Sequence, residues 1–360
     1  MIVKIGTFNV NNLFSRFNFT GAIDEIESGG TTGAMTIRYE FTDPASYRIR
    51  TYLGKLVKAK NIEDTETIAK RILAMNADVL AVQEVENIDI LKEFNRNYLS
   101  GLYSTQVLVE GNDPRFIDVG LLSRLPIGAI TSFQTAVHRQ KPNERVFSRD
   151  FLEVEILDPT GSRKLFTIYI THLKSHFGDD ENNGQGKIEN DARRQRQAEK
   201  IAEIAGGRMQ SDSKYIIAGD MNDSPDAIPL QPMLTINGNQ LFNAMVNPQE
   251  TRPSKPETGG HEPQSPAWTH RFKKSGQPPQ HELFDQIWLS PALAPTFEGS
   301  FIDRRTKHGG DGSDHDPACA KLNVWPPTVR FIDSMWVASL SIDNTNTERR
   351  RRHREKSKDH

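Results

Sequence analysis

Between Ser313 and Pro317 the sequence reads SDHDP, two carboxylates and an imidazole in one short segment. Ser, Asp and Pro are common turn residues, so the segment alone reads as surface punctuation. Chemistry demands partners, and the chain supplies them at wide spacing. They are Asn9 in TFNVNNLF, Glu84 in QEVE, His172 in THLKSH, Asp220 and Asn222 in GDMND, and Asp285 in DQIWLS. These are the residue types of a hydrolytic metal site. A hard cation such as Mg²⁺ takes oxygen ligands, usually one or two carboxylates with water and phosphate completing the shell. Glu84 and Asp314 suit that role, with the amide oxygen of Asn9 as a polar neighbour. Asp220 can orient or deprotonate an attacking water while Asn222 steers the water or the phosphate. His172 and His315 can donate to phosphoryl oxygens, most effectively when protonated. A histidine used this way needs a carboxylate to fix its tautomer and raise its pKa, and Asp285 is the partner expected for His315.

Most of these residues close a predicted strand. Ile2–Phe8 alternates apolar and polar residues before Asn9, Val79–Val82 is a continuous apolar run before Gln83 and Glu84, Leu165–Thr171 ends at His172, and Tyr215–Ala218 runs into Gly219 and Asp220. Further strands are expected near 106–110, 117–122, 151–157, 284–289 and 319–324. Helices are predicted over Thr65–Met75, with Ile68, Ile72 and Met75 on one face, and over Asp191–Ala205, stopped by Gly206 and Gly207. Strands with interspersed helices imply an α/β fold of two packed sheets with helices outside them. In such a fold the strand ends on one rim converge, and that rim binds ligands. Residues 15–59 and Pro248–Gln280, the second with seven of the 20 prolines, read as long loops. Within the second, the run Trp268-Thr269-His270-Arg271 forms either a packing anchor or a substrate-facing patch. Arg193, Arg194 and Arg196 read as the solvated face of a helix.

The chain has 360 residues, 36% hydrophobic and 26% charged, which describes a globular protein with an adequate core. No apolar run reaches the ~18 residues of a membrane span. The opening MIVKIGTFNV lacks a secretory leader's apolar stretch, and the single cysteine, Cys319, permits no intrachain disulfide. A cytoplasmic location is expected. From Glu348 to His360 seven Lys or Arg face three acids, so the rest of the chain is net acidic and the end is basic. That tail reads as a disordered extension able to hold nucleic acid or an acidic partner.

Taken together, TFNVNNLF, QEVE, THLKSH, GDMND, DQIWLS and SDHDP resemble the endonuclease/exonuclease/phosphatase family, to which deoxyribonuclease-I-like nucleases belong. The order and spacing fit across residues 1–325, leaving 326–360 as a C-terminal extension. The resemblance implies the deoxyribonuclease-I-like four-layer sandwich, two sheets flanked by helices. It implies a metal ligand at Glu84 with Asn9, Asn11 and Asp314 close to the metal. It also implies water activation by Asp220, phosphate contact by Asn222 and His172, and an Asp285–His315 dyad. Asp118 lies near a family position that touches substrate, and the THLKSH segment resembles bacterial nuclease branches in which Lys174 approaches phosphate. Mg²⁺ is the expected cofactor, with Mn²⁺ or Ca²⁺ as alternatives.

The expected activity is metal-dependent hydrolysis of phosphodiesters in DNA, with RNA as a second substrate. Arg16, Arg48, Arg50, Lys55, Trp268, Arg271, Lys273 and Lys274 could line a basic, base-stacking groove. A phosphatase or phosphodiesterase for small or lipid phosphoesters is the alternative enzyme, although neither long loop is strongly apolar. An inactive partner-binding scaffold is the non-enzymatic alternative, which the intact acid and histidine set opposes.

Overall fold

The computed structural model describes residues 1–14, 27–29, 34–36, 60–179, 181–253, 256, 261–263, 265–304 and 312–324. The basic tail, Arg16, Arg48, Arg50 and Lys55 lie outside the described residues.

Two sheets form the centre. In the first, strands run in the order Gln249–Glu250, Phe297–Ile302, Ala318–Asn323, Ile2–Leu13, Val79–Val85, Asp118–Ser123 and Thr105–Leu108. In the second the order is Phe242–Asn243, Asp285–Leu289, Tyr215–Asp220, Lys164–His172, Leu152–Leu157 and Ile127–Ser132. The central strands are apolar on both faces because both faces are covered. Val79 and Ala81 face the core between the sheets with Ile168, Ile170, Ile216 and Ile287. Their neighbours Leu80 and Val82 turn outward onto Ile68, Ile72 and Leu91 of two helices, Ile62–Met75 and Ile88–Tyr98. On the other side Tyr169 and Ile217 pack on Ala198 and Ile201 of the helix Gln185–Arg208. The layering is therefore helices, sheet, sheet, helix, the sandwich expected from the sequence. Among the described residues no helix is long and apolar enough to cross a membrane.

Several elements depart from expectation. The first strand continues through Asn9 to Leu13, although Asn11 and Asn12 take left-handed φ of 47° and 60°. The long helix does not stop at Gly206; it ends at Arg208 with Met209 as its C-cap. The helix Ile88–Tyr98 was not expected, although Ile88, Leu91 and Phe94 recur at helical spacing and Asn87 caps it by accepting from the Ile90 N–H. The proline-rich segment is not one structureless loop: His270–Phe272 pairs with Gln280–Glu282. Arg194 is fully buried rather than solvated, held by Asp223, Asp191 and the Lys174 carbonyl. A charge on a helix reads the same whether it faces water or a buried carboxylate.

Candidate active site

Three neighbouring strands of the second sheet bring His172, Asp220 and Asp285 into register. His172 pairs with Asp220 across a parallel ladder, and Asp220 pairs with Asp285 across an antiparallel one. One step earlier Gly219 lies opposite Thr171 with φ +147°, and a Cβ built there would stand 1.9 Å from the Thr171 carbonyl oxygen. Only glycine tolerates that approach.

Asp220 is the hub. Its Oδ2 accepts from Asn9 Nδ2 at 2.9 Å and lies 3.3 Å from His172 Nε2 and 3.8 Å from His315 Nε2. Its Oδ1 accepts from the Asn222 N–H at 2.9 Å. Asn222 adopts φ 51°, and its side-chain amide donates to the Leu173 carbonyl at 3.1 Å. Burial lifts the Asp220 pKa, and the charge of His315 works against that rise.

His315 and Asp285 form the expected dyad, with Nδ1 2.6 Å from Asp285 Oδ2. Burial alone favours a neutral ring. The Asp285 and Asp220 carboxylates override it and hold His315 well above the ordinary histidine range. The segment is fixed by Ser313, whose Oγ donates to the Asn9 carbonyl at 2.7 Å and accepts from the His315 N–H at 3.0 Å. The second carboxylate of SDHDP has a different task. Asp316 is buried between Arg71 at 2.7 Å and Arg304 at 3.4 Å.

His172 differs from expectation. Burial, and then the Arg149 guanidinium, hold its pKa well below the ordinary range, so the ring is neutral. The cation at this end of the site is Arg149, which sequence reading passed over. It is buried, with Nη2 3.5 Å from His172 Nε2 and Nε 3.4 Å from Asp113 Oδ2. Asp113 also binds Arg115 at 3.1 Å, and the Arg115 side chain is half exposed. Arg149 sits in a loop between two strands, where no periodicity marks it.

Glu84 takes φ 65° at a β-bulge, and its Oε2 accepts from the Asn12 N–H at 3.0 Å. Burial, then the facing Asp314 carboxylate, raise its pKa. Two carboxylates that disfavour each other's charge, both offering only oxygen, fit a hard divalent cation between them. Asn9 and Asn11, expected close to the metal, bond the neighbouring carboxylates. The Asn9 amide is committed to Asp220 and to the Asn11 N–H. The Asn11 amide donates to Asp314 Oδ1 at 2.9 Å and accepts from Asn12. They position carboxylates. Lys60, also unexpected, donates to the Asn11 carbonyl at 2.6 Å.

The remaining candidates scatter. Asp118 is buried and accepts from the Gly111 N–H at 2.7 Å, with burial pushing its pKa up to about 7. Lys174 turns back onto the carbonyls of Ser175 and Phe177, and burial followed by Arg149 lowers its pKa to about 8. Trp268 is 3% exposed under the Arg304 guanidinium, 3.8 Å from its ring, so it is a packing anchor and offers no face to a base. Arg271 lies on the strand His270–Phe272, partly exposed. His270, its neighbour in the same segment, packs beside the site. It forms a β-bridge with His315, and its ring stacks on Phe284 at 4.9 Å.

A profile of the endonuclease/exonuclease/phosphatase family matches residues 6–315. The chain belongs to this family and is a metal-dependent hydrolase of phosphoesters. No curated protein matches the sequence. Among solved structures, an endonuclease/exonuclease/phosphatase from Bacteroides vulgatus is similar at 13% identity and TM-score 0.53, covering 89% of this chain and 98% of that one. D. rerio TDP2 complexed with single strand DNA product is similar at 14% identity and TM-score 0.51, covering 89% and 99%. The human Nocturnin catalytic domain with bound sulfate anion is similar at 14% identity and TM-score 0.50, covering 89% and 93%. At these identities the likeness is one of fold.

Proposed function

We propose that the chain is a Mg²⁺-dependent nuclease that hydrolyses phosphodiester bonds in DNA by water attack. Residues 1–325 are its catalytic domain and 326–360 an extension that adds electrostatic affinity. The observation that carries this reading is the convergence on one buried carboxylate: Asn9, His172, His315 and the Asn222 N–H all surround Asp220. That environment aims Asp220 while leaving it basic enough to take a proton from water. His315, held by Asp285, carries its positive charge to the phosphoryl oxygens on the opposite side. Neutral His172 stands between Arg149 and Asp220 and offers a hydrogen-bonding nitrogen to the phosphate beside them. Glu84 and Asp314 would hold Mg²⁺, which when bound supplies Lewis-acid stabilisation of phosphoryl charge.

Nucleic acid is favoured as substrate by the cations beside the pocket. Arg115 and Arg149 share Asp113, and burial followed by the charges of Arg149 and Arg193 lowers the pKa of Lys174. The D. rerio protein of the same fold was seen with a single strand DNA product. The deciding experiment is a panel of plasmid DNA, single-stranded DNA, RNA, bis-p-nitrophenyl phosphate and phosphomonoesters, each with Mg²⁺, Mn²⁺, Ca²⁺ or EDTA. Cleavage of DNA with Mg²⁺ and silence with EDTA are expected. Turnover of monoesters alone would overturn the nuclease reading.

A further inference from the structure

His270 has no task in the hydrolysis described above, yet it stands in the middle of the site. Its backbone bridges to His315, so the two imidazoles are cross-strand neighbours with ring centroids 4.9 Å apart. Its Nε2 lies 3.8 Å from Asp314 Oδ2. One ligand atom from each of His270, Asp314 and His315 can be chosen so that all lie within 4.8 Å of one another. Around a tetrahedral zinc at ~2.0–2.1 Å, ligand atoms stand about 3.3 Å apart, so small side-chain rotations close the set.

We infer that His270, Asp314 and His315 form a second cation site, selective for zinc-class ions, whose occupation withdraws His315 from phosphate and halts hydrolysis. The donor chemistry separates it from the Glu84 and Asp314 pair. Two imidazoles and one carboxylate suit Zn²⁺ or Co²⁺, whereas Mg²⁺ prefers oxygen alone. The outer support is in place. Asp285 binds His315 Nδ1 and leaves Nε2 as its metal-facing atom, the arrangement by which a carboxylate orients a ligating histidine. Phe284 holds the His270 ring at an interplanar angle of 14°. Because Asp314 and His315 belong to both arrangements, zinc competes with catalysis rather than assisting it. The inhibitory half of the inference rests on His315 acting as phosphate donor; the binding half does not.

The test uses the full chain, with His270→Ala and His270→Phe as variants, the latter retaining an aromatic ring against Phe284. Circular dichroism and thermal midpoints establish that each variant is folded. Co²⁺ is titrated in the presence of saturating Mg²⁺, and its visible absorption is followed. Zn²⁺ inhibition is measured on bis-p-nitrophenyl phosphate. The wild type should develop a tetrahedral Co²⁺ band and lose activity with Zn²⁺. Both variants should lose the band, keep their Mg²⁺-supported rate, and need roughly 10-fold more Zn²⁺ or greater for half-inhibition, since even outer-shell losses cost ~10–100-fold. Identical Co²⁺ spectra in wild type and folded variants would overturn the site. A Co²⁺ band lost with His270 but unchanged Zn²⁺ sensitivity would overturn the inhibitory role alone.

Discussion

His315 Nδ1 lies 2.6 Å from Asp285 Oδ2, with both side chains buried, so the imidazole is held by a carboxylate that sees no water. The two should behave as one unit. His315→Ala should lower kcat/KM on the order of 10²-fold, as for other positioned donors. Asp285→Asn should cost less, because the ring remains but loses the charge that keeps it protonated. In the double variant the penalties should not multiply. Multiplying penalties, measured at saturating Mg²⁺, would show that Asp285 works independently.

Glu84→Gln should weaken divalent binding without unfolding the chain. The amide keeps an acceptor for the Asn12 N–H and removes the charge that Asp314 opposes. Calorimetric titration with Mn²⁺ reads the change directly. Equal affinities in the two proteins would remove Glu84 from the ligand set.

Asp316 neutralises two buried guanidinium groups, those of Arg71 and Arg304, and Arg71 also donates to the His315 carbonyl at 3.3 Å. Asp316→Ala should destabilise the fold by ~3–5 kcal/mol, the cost of leaving a buried ion without its partner. Urea denaturation measures it. A loss below about 1 kcal/mol would mean that Asp303 and Glu250 suffice for the two arginines.

Asp118 gives stability a pH dependence of unusual sign. Its folded-state pKa is pushed up to about 7 by burial, above the ordinary 3.8. Between those values the folded chain binds more protons than the unfolded chain, so this group's contribution falls as pH rises. Asp118→Asn keeps an acceptor for the Gly111 N–H and cannot ionise. Its gain in urea midpoint over the wild type should be larger near about pH 8 than near about pH 5. A gain that does not grow with pH would show that Asp118 titrates normally.

The strand-end pattern placed Asn9, Glu84, His172 and Asp220 on one rim, because an apolar run that stops at a polar residue marks both the strand and its rim; Asp285 instead opens its strand and His315 precedes one. What lay hidden depends on register and on the far side of each contact. Arg149 comes from a loop without periodicity, and the pairing of His270 with His315 comes from a proline-rich stretch whose short hairpin gives a weak signal. An amide offers an oxygen to a metal and a nitrogen to a carboxylate, and the sequence does not give its orientation; the nitrogens of Asn9 and Asn11 face Asp220 and Asp314. Arg194 looked solvated because its buried partners, Asp223 and the Lys174 carbonyl, come from distant segments.

The hydrogen at Gly219 where any other residue carries a Cβ has a mechanical consequence. The Thr171 carbonyl occupies the volume a methyl group needs, 1.9 Å away, so two backbones touch one step before His172 and Asp220. A side chain at 219 would force the two strands apart one step before the imidazole and the carboxylate, so the pairing of His172 with Asp220 depends on an atom that is missing.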